Sequence, residues 1–99
     1  MNVRWSGPAL EQLSAIRTYI SENNPENAER FVHALYDKVS AQLTFFPRSG
    51  HAIHLNNKEY GELIYRGKYR IIYSLAEEEI TILTVRSTRQ KFSPSNFTG

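Results

Sequence analysis

The sequence ELIYRGKYRIIYSL, residues 62–75, decides the fold of this 99-residue chain. It contains two runs rich in aromatic and β-branched residues, 62–66 and 69–75, which are separated by Gly67 and Lys68. A two-residue connection that begins with glycine is typical of a type II′ turn. The two runs are therefore predicted to pair as an antiparallel hairpin.

The second of these runs has two different faces, because side chains alternate along a strand. One face is apolar or aromatic and carries Tyr69, Ile71, Tyr73 and Leu75, whereas the other carries Arg70, Ile72 and Ser74. A third β-rich run, 80–86, follows an acidic turn at 76–79. The three runs together predict an antiparallel meander, in which the last strand pairs with the middle one.

Two helices are predicted ahead of the strands. Ser6 is a capping residue and Pro8 fits the first turn, and an apolar stripe follows at helical spacing: Ala9, Leu13, Ile16 and Ile20. Asn24 and Pro25 repeat this start signal, and the sequence PRSG at 47–50 ends the second helix.

The remaining segments complete the predicted order of elements. Residues 2–5 alternate like a short strand. The pattern is lost from 51 to 60, where 56–58 are predicted to be an exposed loop. The order β-α-α-β-β-β indicates an α+β fold in which two antiparallel helices pack on one face of a small antiparallel sheet. A chain of 99 residues makes one domain, 1–99, with an irregular tail from about 87.

Composition excludes several classes of protein. The chain has no cysteine, which rules out disulfide scaffolds, cysteine-ligated zinc and thiol catalysis. No apolar run approaches the ~18 residues that a membrane span needs, and no signal peptide is visible at the N-terminus. We therefore expect a cytoplasmic protein that neither spans nor binds a membrane.

Charge is unevenly distributed along the chain. Residues 1–40 hold four Lys or Arg and five acids, whereas 41–99 hold eight Lys or Arg and five acids. Six of these eight basic residues flank the first hairpin or follow the last strand: Arg66, Lys68, Arg70, Arg86, Arg89 and Lys91. If the last and middle strands pair, these two groups converge at one end of the sheet. They would hold either phosphate oxygens or an acidic protein segment there, or simply form a solvated surface.

Other groups of reactive side chains give little indication of a catalytic or metal site. His33 and Asp37 share the polar face of the second helix, as a solvated pair does. His51 and His54 are predicted to lie in a loop without carboxylates or further ligands, so no metal is expected. The glycines are scattered and form no phosphate-binding loop, and we expect no cofactor.

Four segments resemble known sequences in this order and at this spacing. They are WSGPALEQL at 5–13, LTFFPRSG at 43–50, YRIIY at 69–73, and ITILTV at 80–85 followed by Arg89. Together they resemble the RelE/ParE toxins of bacterial type II toxin–antitoxin modules over residues 3–92. The resemblance implies a compact α+β toxin that forms a hetero-oligomer with an acidic, ParD- or RelB-like cognate antitoxin. It also implies a role in plasmid or chromosome maintenance through growth inhibition.

The resemblance leaves two targets and two mechanisms open. RelE-like members are nucleases that cleave mRNA in the ribosomal A site, whereas ParE-like members poison DNA gyrase. The two arginines of the RelE-like site match Arg70 and Arg89, but its lysine positions near 62–64 are not basic and no tyrosine follows Tyr73. RNA cleavage needs a base for the attacking hydroxyl and an acid that protonates the leaving group.

The missing lysines and tyrosine favour the ParE-like branch, and so does a second sequence feature. Glu62 and Leu63 resemble the Arg-Glu-Leu of ParE-like members, with Gly61 in place of the arginine. The prediction is therefore a gyrase inhibitor that is not an enzyme. The first alternative is a ribosome-dependent endoribonuclease with Arg70 and Arg89 as catalytic residues. The second is a non-toxic member that only binds its antitoxin.

The predicted target-binding residues are the basic set and one apolar anchor: Arg66, Lys68, Arg70, Arg86, Arg89, Lys91 and Phe92. Arg70 has a structural interpretation as well, in which it pairs with Glu62 across the hairpin. Tyr69 and Tyr73 are interpreted as core packing. An amphipathic segment of the antitoxin is expected to lie in a groove between the helices and the sheet.

Overall fold

The computed structural model describes residues 1–89, in which two helices pack against a five-stranded sheet. The elements are β1 (Asn2–Trp5), α1 (Gly7–Ser21), α2 (Pro25–Phe45), β2 (His51–Leu55), β3 (Lys58–Tyr65), β4 (Tyr69–Leu75) and β5 (Glu79–Ser87). The predicted tail from about 87 overlaps the last residue of β5, and its remainder from residue 90 lies outside the described part. Neither α1 nor α2 is long and apolar enough to cross a lipid bilayer.

The strand order is β1-β5-β4-β3-β2. Strands β2 to β5 form the antiparallel meander that the sequence predicts, extended by one strand. The N-terminal strand joins the other edge in parallel, with Val3 opposite Ile80 and Trp5 opposite Ile82. The α+β architecture with both helices on one face is thus confirmed, but the sheet is mixed and not purely antiparallel.

The two helices begin where their capping residues predict. The Ser6 hydroxyl accepts a hydrogen bond from the Ala9 N–H at 3.1 Å, and the Asn24 side chain accepts one from the Asn27 N–H at 3.3 Å. Each helix also has a proline in its first turn, where no backbone donor is needed. These local signals fix the entry of both helices onto the sheet.

The core lies between the helices and one face of the sheet. Its largest fully buried members come from α2, β4 and β5 and include Leu35, Leu43, Ile71, Ile80 and Ile82. Trp5 closes one end, where its ring stacks on Tyr36 at 4.8 Å and its Nε1–H donates to the Ser40 hydroxyl at 2.9 Å. These buried side chains fill the space between the helices and the sheet.

Most of the segment 51–60, which the sequence left without a strand, is strand, and the loop predicted around His51 and His54 was wrong. The exposed loop predicted at 56–58 is a tight turn at Asn56-Asn57. The segment forms β2, this turn and the start of β3. The turn residues Asn56 and Asn57 have φ values of 52° and 63°, a left-handed conformation that asparagine tolerates better than most residues. Positive φ at both central positions is the requirement of a type I′ hairpin turn.

The predicted turn at Gly67-Lys68 is displaced by one residue. Arg66 and Gly67 both have positive φ, 52° and 67°, and the Lys68 N–H donates to the Tyr65 carbonyl at 3.0 Å. Positive φ at two central residues belongs to the type I′ class and not to type II′. The hairpin is therefore as predicted, but its turn is centred on Arg66-Gly67.

β5 continues beyond the end of β1, and there Ser6 and Gln12 form the hydrogen bonds that a neighbouring strand would form. The Ser6 N–H donates to the Ile82 carbonyl at 3.0 Å, and the Ser6 hydroxyl donates to the Leu83 carbonyl at 3.2 Å. Further along β5, the Oε1 of Gln12 accepts hydrogen bonds from the Val85 N–H at 2.7 Å and from the Thr84 hydroxyl at 2.9 Å. Gln12 thus supplies the acceptor that a neighbouring strand would otherwise supply.

Replacement of Gln12 by leucine should destabilise the fold. The substitution keeps the size of the side chain but leaves the buried Thr84 and Val85 donors without their acceptor, which costs about 1–3 kcal/mol. For a domain of this size each kcal/mol lowers the Tm by roughly 4–8 °C. Thermal unfolding measures the effect, with Glu11→Ala at the exposed neighbouring position as control. An unchanged Tm in Gln12→Leu would contradict this account of the β5 edge.

Candidate target-binding site

The two basic groups of the sequence meet at one end of the sheet. The register of β4 and β5 places Tyr69 opposite Ser87 and Arg70 opposite Arg86. Beyond β5, the Thr88 N–H donates to the Lys68 carbonyl at 2.9 Å and the Thr88 hydroxyl donates to the Gly67 carbonyl at 3.1 Å. We call this end of the sheet the basic end and define it by Arg66, Lys68, Arg70, Arg86 and Arg89. Lys91 and Phe92, also predicted to belong to it, lie outside the described residues.

The basic end is divided between the two faces of the sheet. Arg70 and Arg86 alternate with Ile71 and Val85, which belong to the core, and so they project from the face that the helices leave open. Arg66 points the other way. Its guanidinium lies 5.6 Å from the Tyr65 ring centre and 6.0 Å from that of Phe31, on α2. The set therefore does not form one continuous surface, and Arg70 and Arg86 are its members on the open face.

Arg70 forms the ion pair that one of the two sequence interpretations predicts. Its Nε lies 2.9 Å from the Glu62 Oε2, and the two side chains are only 22% and 19% exposed. Like charges directly opposite each other on neighbouring strands destabilise a sheet, and Arg70 faces Arg86 in this way. The carboxylate of Glu62 offsets one of the two positive charges.

Arg86 carries the remaining positive charge of this pair. Its Nε donates to the Thr84 hydroxyl, a neutral acceptor, at 3.2 Å, and within residues 1–89 its guanidinium has no carboxylate partner. Beside the arginines lies Ile64, which is opposite Arg70 in β3 and is 48% exposed. A half-buried guanidinium next to an exposed apolar side chain is the composition of a protein-binding surface.

The two tyrosines of β4 are packing residues, as predicted. Tyr73 is 1% exposed and belongs to the core, and Tyr69 is partly buried and packs against the core. Burial raises the pKa of the Tyr73 hydroxyl above its usual value, and burial together with Tyr19 raises the pKa of Tyr69. Both hydroxyls therefore stay protonated at neutral pH and are poorly suited to proton transfer.

The histidines differ from their predicted surroundings. His51 lies in β2 opposite Glu62, and His54 opposite Glu59, so each has a carboxylate on the neighbouring strand. His33 lies 3.5 Å from Glu29, one turn before it, and not beside Asp37 as the sequence suggested. Within residues 1–89 no three His, Asp or Glu side chains come together as ligands for a metal ion.

A second surface lies on the outer side of the helical hairpin. There a groove between α1 and α2 has an apolar lining that includes Leu10, Leu13, Val32 and Tyr36. The Arg17–Glu29 ion pair, at 3.3 Å, crosses one part of it. The space between helices and sheet, where the sequence placed the antitoxin, is filled by the core. Leu10 and Tyr36 are 48% and 40% exposed and lie outside the buried stripe of their helices. Apolar residues at such positions were the sequence signal for this groove, which sequence reasoning missed.

A helical hairpin on one face of this sheet, with arginines at the end of its last two strands, defines a small toxin of the RelE/ParE type. The chain belongs to the family described as the ParE toxin of the type II toxin–antitoxin system parDE, whose family model matches residues 3–92. No curated protein matches the sequence.

One solved structure shares this fold, and a second is less similar. The chromosomal ParDE toxin–antitoxin system of P. aeruginosa contains a chain that is 20% identical, with a TM-score of 0.74 over 88% of this chain and 95% of that one. The toxin–antitoxin complex RelBE2 of Mycobacterium tuberculosis gives 20% identity and a TM-score of 0.49 over 87% and 95% of the two chains.

Proposed function

We propose that this toxin of a type II toxin–antitoxin system inhibits growth in the cytoplasm by poisoning DNA gyrase. The observation that carries the proposal is the ion pair between Arg70 and Glu62. A nuclease would need the charge of Arg70 for the phosphate in the transition state. With a carboxylate 2.9 Å away, that charge is already compensated, which favours a binding role over a catalytic one.

Contact with gyrase would use the open face of the basic end. Arg86 offers a guanidinium that forms bidentate hydrogen bonds with carboxylate or phosphate, and Ile64 offers apolar area beside it. Arg89 and Lys68 are exposed at the same end and add to the positive potential that steers association. Growth inhibition in this proposal comes from binding and requires no chemical step in the toxin.

A ribosome-dependent endoribonuclease is the second candidate. The observation that favours it is His51, which lies opposite Glu62 on the same face as Arg70. Histidine is the commonest general base, and a neighbouring carboxylate orients it. In this alternative His51 would accept the proton of the attacking hydroxyl, and Arg70 and Arg89 would hold the phosphate.

Neutralisation by a cognate, acidic antitoxin completes the proposal. The groove between α1 and α2 suits an amphipathic helix, whose apolar face would cover Leu10, Val32 and Tyr36. Burial of apolar surface there stabilises the complex by ~25 cal/mol per Å² before the cost of association is subtracted. This surface is separate from the basic end, so antitoxin binding and target binding can be altered independently.

Assays of the purified chain on both targets distinguish the candidates. We expect inhibition of gyrase supercoiling and accumulation of trapped cleavage complexes, without codon-linked cleavage when transcript ends are mapped after induction. Cleavage at codons would overturn the gyrase proposal and select the nuclease. Activity on neither target, with a copurifying antitoxin, would leave a chain that only binds its antitoxin.

A further inference from the structure

The turn between β3 and β4 is exposed and held in place from two sides. Its residues Arg66, Gly67 and Lys68 are all exposed. On one side, Thr88 donates hydrogen bonds to the Lys68 and Gly67 carbonyls, and on the other the Arg66 guanidinium lies 6.0 Å from the centre of the Phe31 ring. Arg66 also has a φ of 52°, a conformation that persists only where the surroundings hold it. The turn is therefore ordered before a partner binds, which lowers the cost of binding.

The charge around this turn is positive. No Asp or Glu occurs from 63 to 76 or from 80 to 99. Glu62 is the nearest acid of the hairpin, and its carboxylate is paired with Arg70. Arg89 is exposed beyond the end of β5 and adds a third cation to the two of the turn.

We call Arg66, Lys68 and Arg89 the turn cations. In the part of the chain that the structure describes, none of the three forms an ion pair. Among the large apolar side chains of β3 to β5, only Ile64 is exposed. The cores of protein–protein interfaces are rich in aromatic residues and poor in lysine, whereas interfaces with nucleic acids are more polar and much more positive. The composition of the turn thus favours phosphate groups as its ligand.

The position of the aromatic rings distinguishes a duplex from a single strand. Proteins that bind single-stranded nucleic acids stack the bases on exposed aromatic side chains. The rings beside the turn, Tyr65 and Tyr69, are partly buried against the core and pack on Phe31. The exposed aromatic residues within 1–89 lie on the helices or at the end of α2: Tyr19, Tyr36, Phe45 and Phe46. The strands beside the turn cations therefore offer no surface for unstacked bases, which favours a duplex.

We propose that the turn cations bind the phosphate backbone of duplex DNA, independently of its sequence. Guanidinium and ammonium groups bind phosphate oxygens through charge-assisted hydrogen bonds. This inference rests on the proposed function, because DNA is the substrate of gyrase, and it adds a second component to the target. Arg86 and Ile64 contact the enzyme, and the turn cations contact the DNA beside it. The toxin then binds gyrase that holds DNA more tightly than it binds free gyrase.

The salt dependence of binding to a short, blunt DNA duplex tests the proposal, with fluorescence anisotropy of the labelled duplex as the measurement. Three phosphate contacts predict a slope of log K against log salt of about −2.7, or a loss of affinity of about 40-fold between 50 and 200 mM salt. The variant Arg66→Asn with Lys68→Gln should reduce the slope to about −0.9 and the loss to about 3.5-fold. Asparagine accepts the positive φ of residue 66, so the Tm should be kept.

The matched control is Arg4→Gln with Lys38→Gln, which removes the same charge from exposed positions on β1 and α2. This control should bind the duplex with the slope of the unaltered chain. The proposal is overturned if the unaltered chain shows no salt-dependent binding, or if Arg66→Asn with Lys68→Gln leaves the slope unchanged. Tighter binding of single-stranded RNA of the same length would also overturn it and would favour the ribosome as target.

A supercoiling assay on the same samples separates this proposal from the proposed function. Inhibition of gyrase by a chain that does not bind the duplex would overturn the DNA contact alone. Salt-dependent binding of the duplex by a chain that does not inhibit gyrase would support the DNA contact and overturn the gyrase function.

Discussion

Growth inhibition should be abolished when Arg86 and Arg89 are both replaced by alanine, while the fold and antitoxin binding persist. Truncation of an interfacial arginine commonly costs ~2 kcal/mol or more, which is about a thirtyfold loss of affinity. The stability cost should be small, because Arg86 donates to a neutral hydroxyl and faces the like charge of Arg70. Arg89 is exposed, and its backbone N–H donates to the Ser87 hydroxyl at 3.2 Å.

Three measurements check this dissociation of function from folding: growth after induction, the Tm of the purified chain and copurification with the antitoxin. The matched control is Arg4→Ala with Arg30→Ala, which removes the same charge from exposed positions away from the basic end. The control should remain toxic. A folded Arg86→Ala, Arg89→Ala chain that is still fully toxic would mean that the basic end is only a solubilising surface.

The largest loss of stability is expected from Gly61→Ala. Gly61 lies opposite Tyr73 in the sheet, and a Cβ built on it would lie 2.3 Å from the Tyr73 Cζ. Tyr73 is fully buried and cannot move aside without displacing the core, so the substitution overpacks it at a cost of ~3 kcal/mol. The Tm should fall by more than about 10 °C.

Gly7→Ala is the control, because a Cβ there meets no atom within 4 Å. Its Tm should be unchanged or slightly higher. Tyr73→Leu should partly rescue Gly61→Ala, since it removes the ring that the methyl group strikes, and the two substitutions should therefore be non-additive. A Gly61→Ala chain as stable as Gly7→Ala would refute the steric argument.

The same contact accounts for glycine at the first position of the segment 61–63. The segment 61–63 resembles an Arg-Glu-Leu motif but has glycine in the first position. An arginine there would bring its Cβ into the Tyr73 ring, so Gly61 and Tyr73 are a matched pair. Sequence reasoning found the departure, but its cause lies in a cross-strand contact that only the structure contains.

Local signals predicted most of the fold. Caps and prolines marked both helix starts, and alternation in 69–75 identified the central strand with its buried face. The strands of 51–60 were missed because β2 lies at an edge with three of its residues exposed, so burial leaves no apolar alternation in the sequence. The Asn56-Asn57 pair was the available signal, since consecutive asparagines suit a type I′ turn.

Non-local contacts limited the prediction of the site. Strand alternation and pairing were sufficient to bring Arg70 and Arg86 together, and they left two interpretations of Arg70 open. The opposite orientation of Arg66 depends on Phe31, which is distant in sequence, and no local pattern encodes that contact. The groove that the sequence predicted between helices and sheet is filled by core side chains, because the fit of the core cannot be read from periodicity alone.

The parallel pairing of β1 with β5 also determines when the sheet can be completed during synthesis of the chain. Asn2 to Trp5 reach their partners only after residues 79–82 have been translated, so the first strand to leave the ribosome is the last to be paired. At about 5–20 residues per second the chain takes roughly 5–20 s to make, and Trp5 and Ala9 lack their β5 neighbours for most of that time. A truncated or stalled nascent chain cannot close the sheet. The topology thus delays completion of the sheet until β5 has been synthesised.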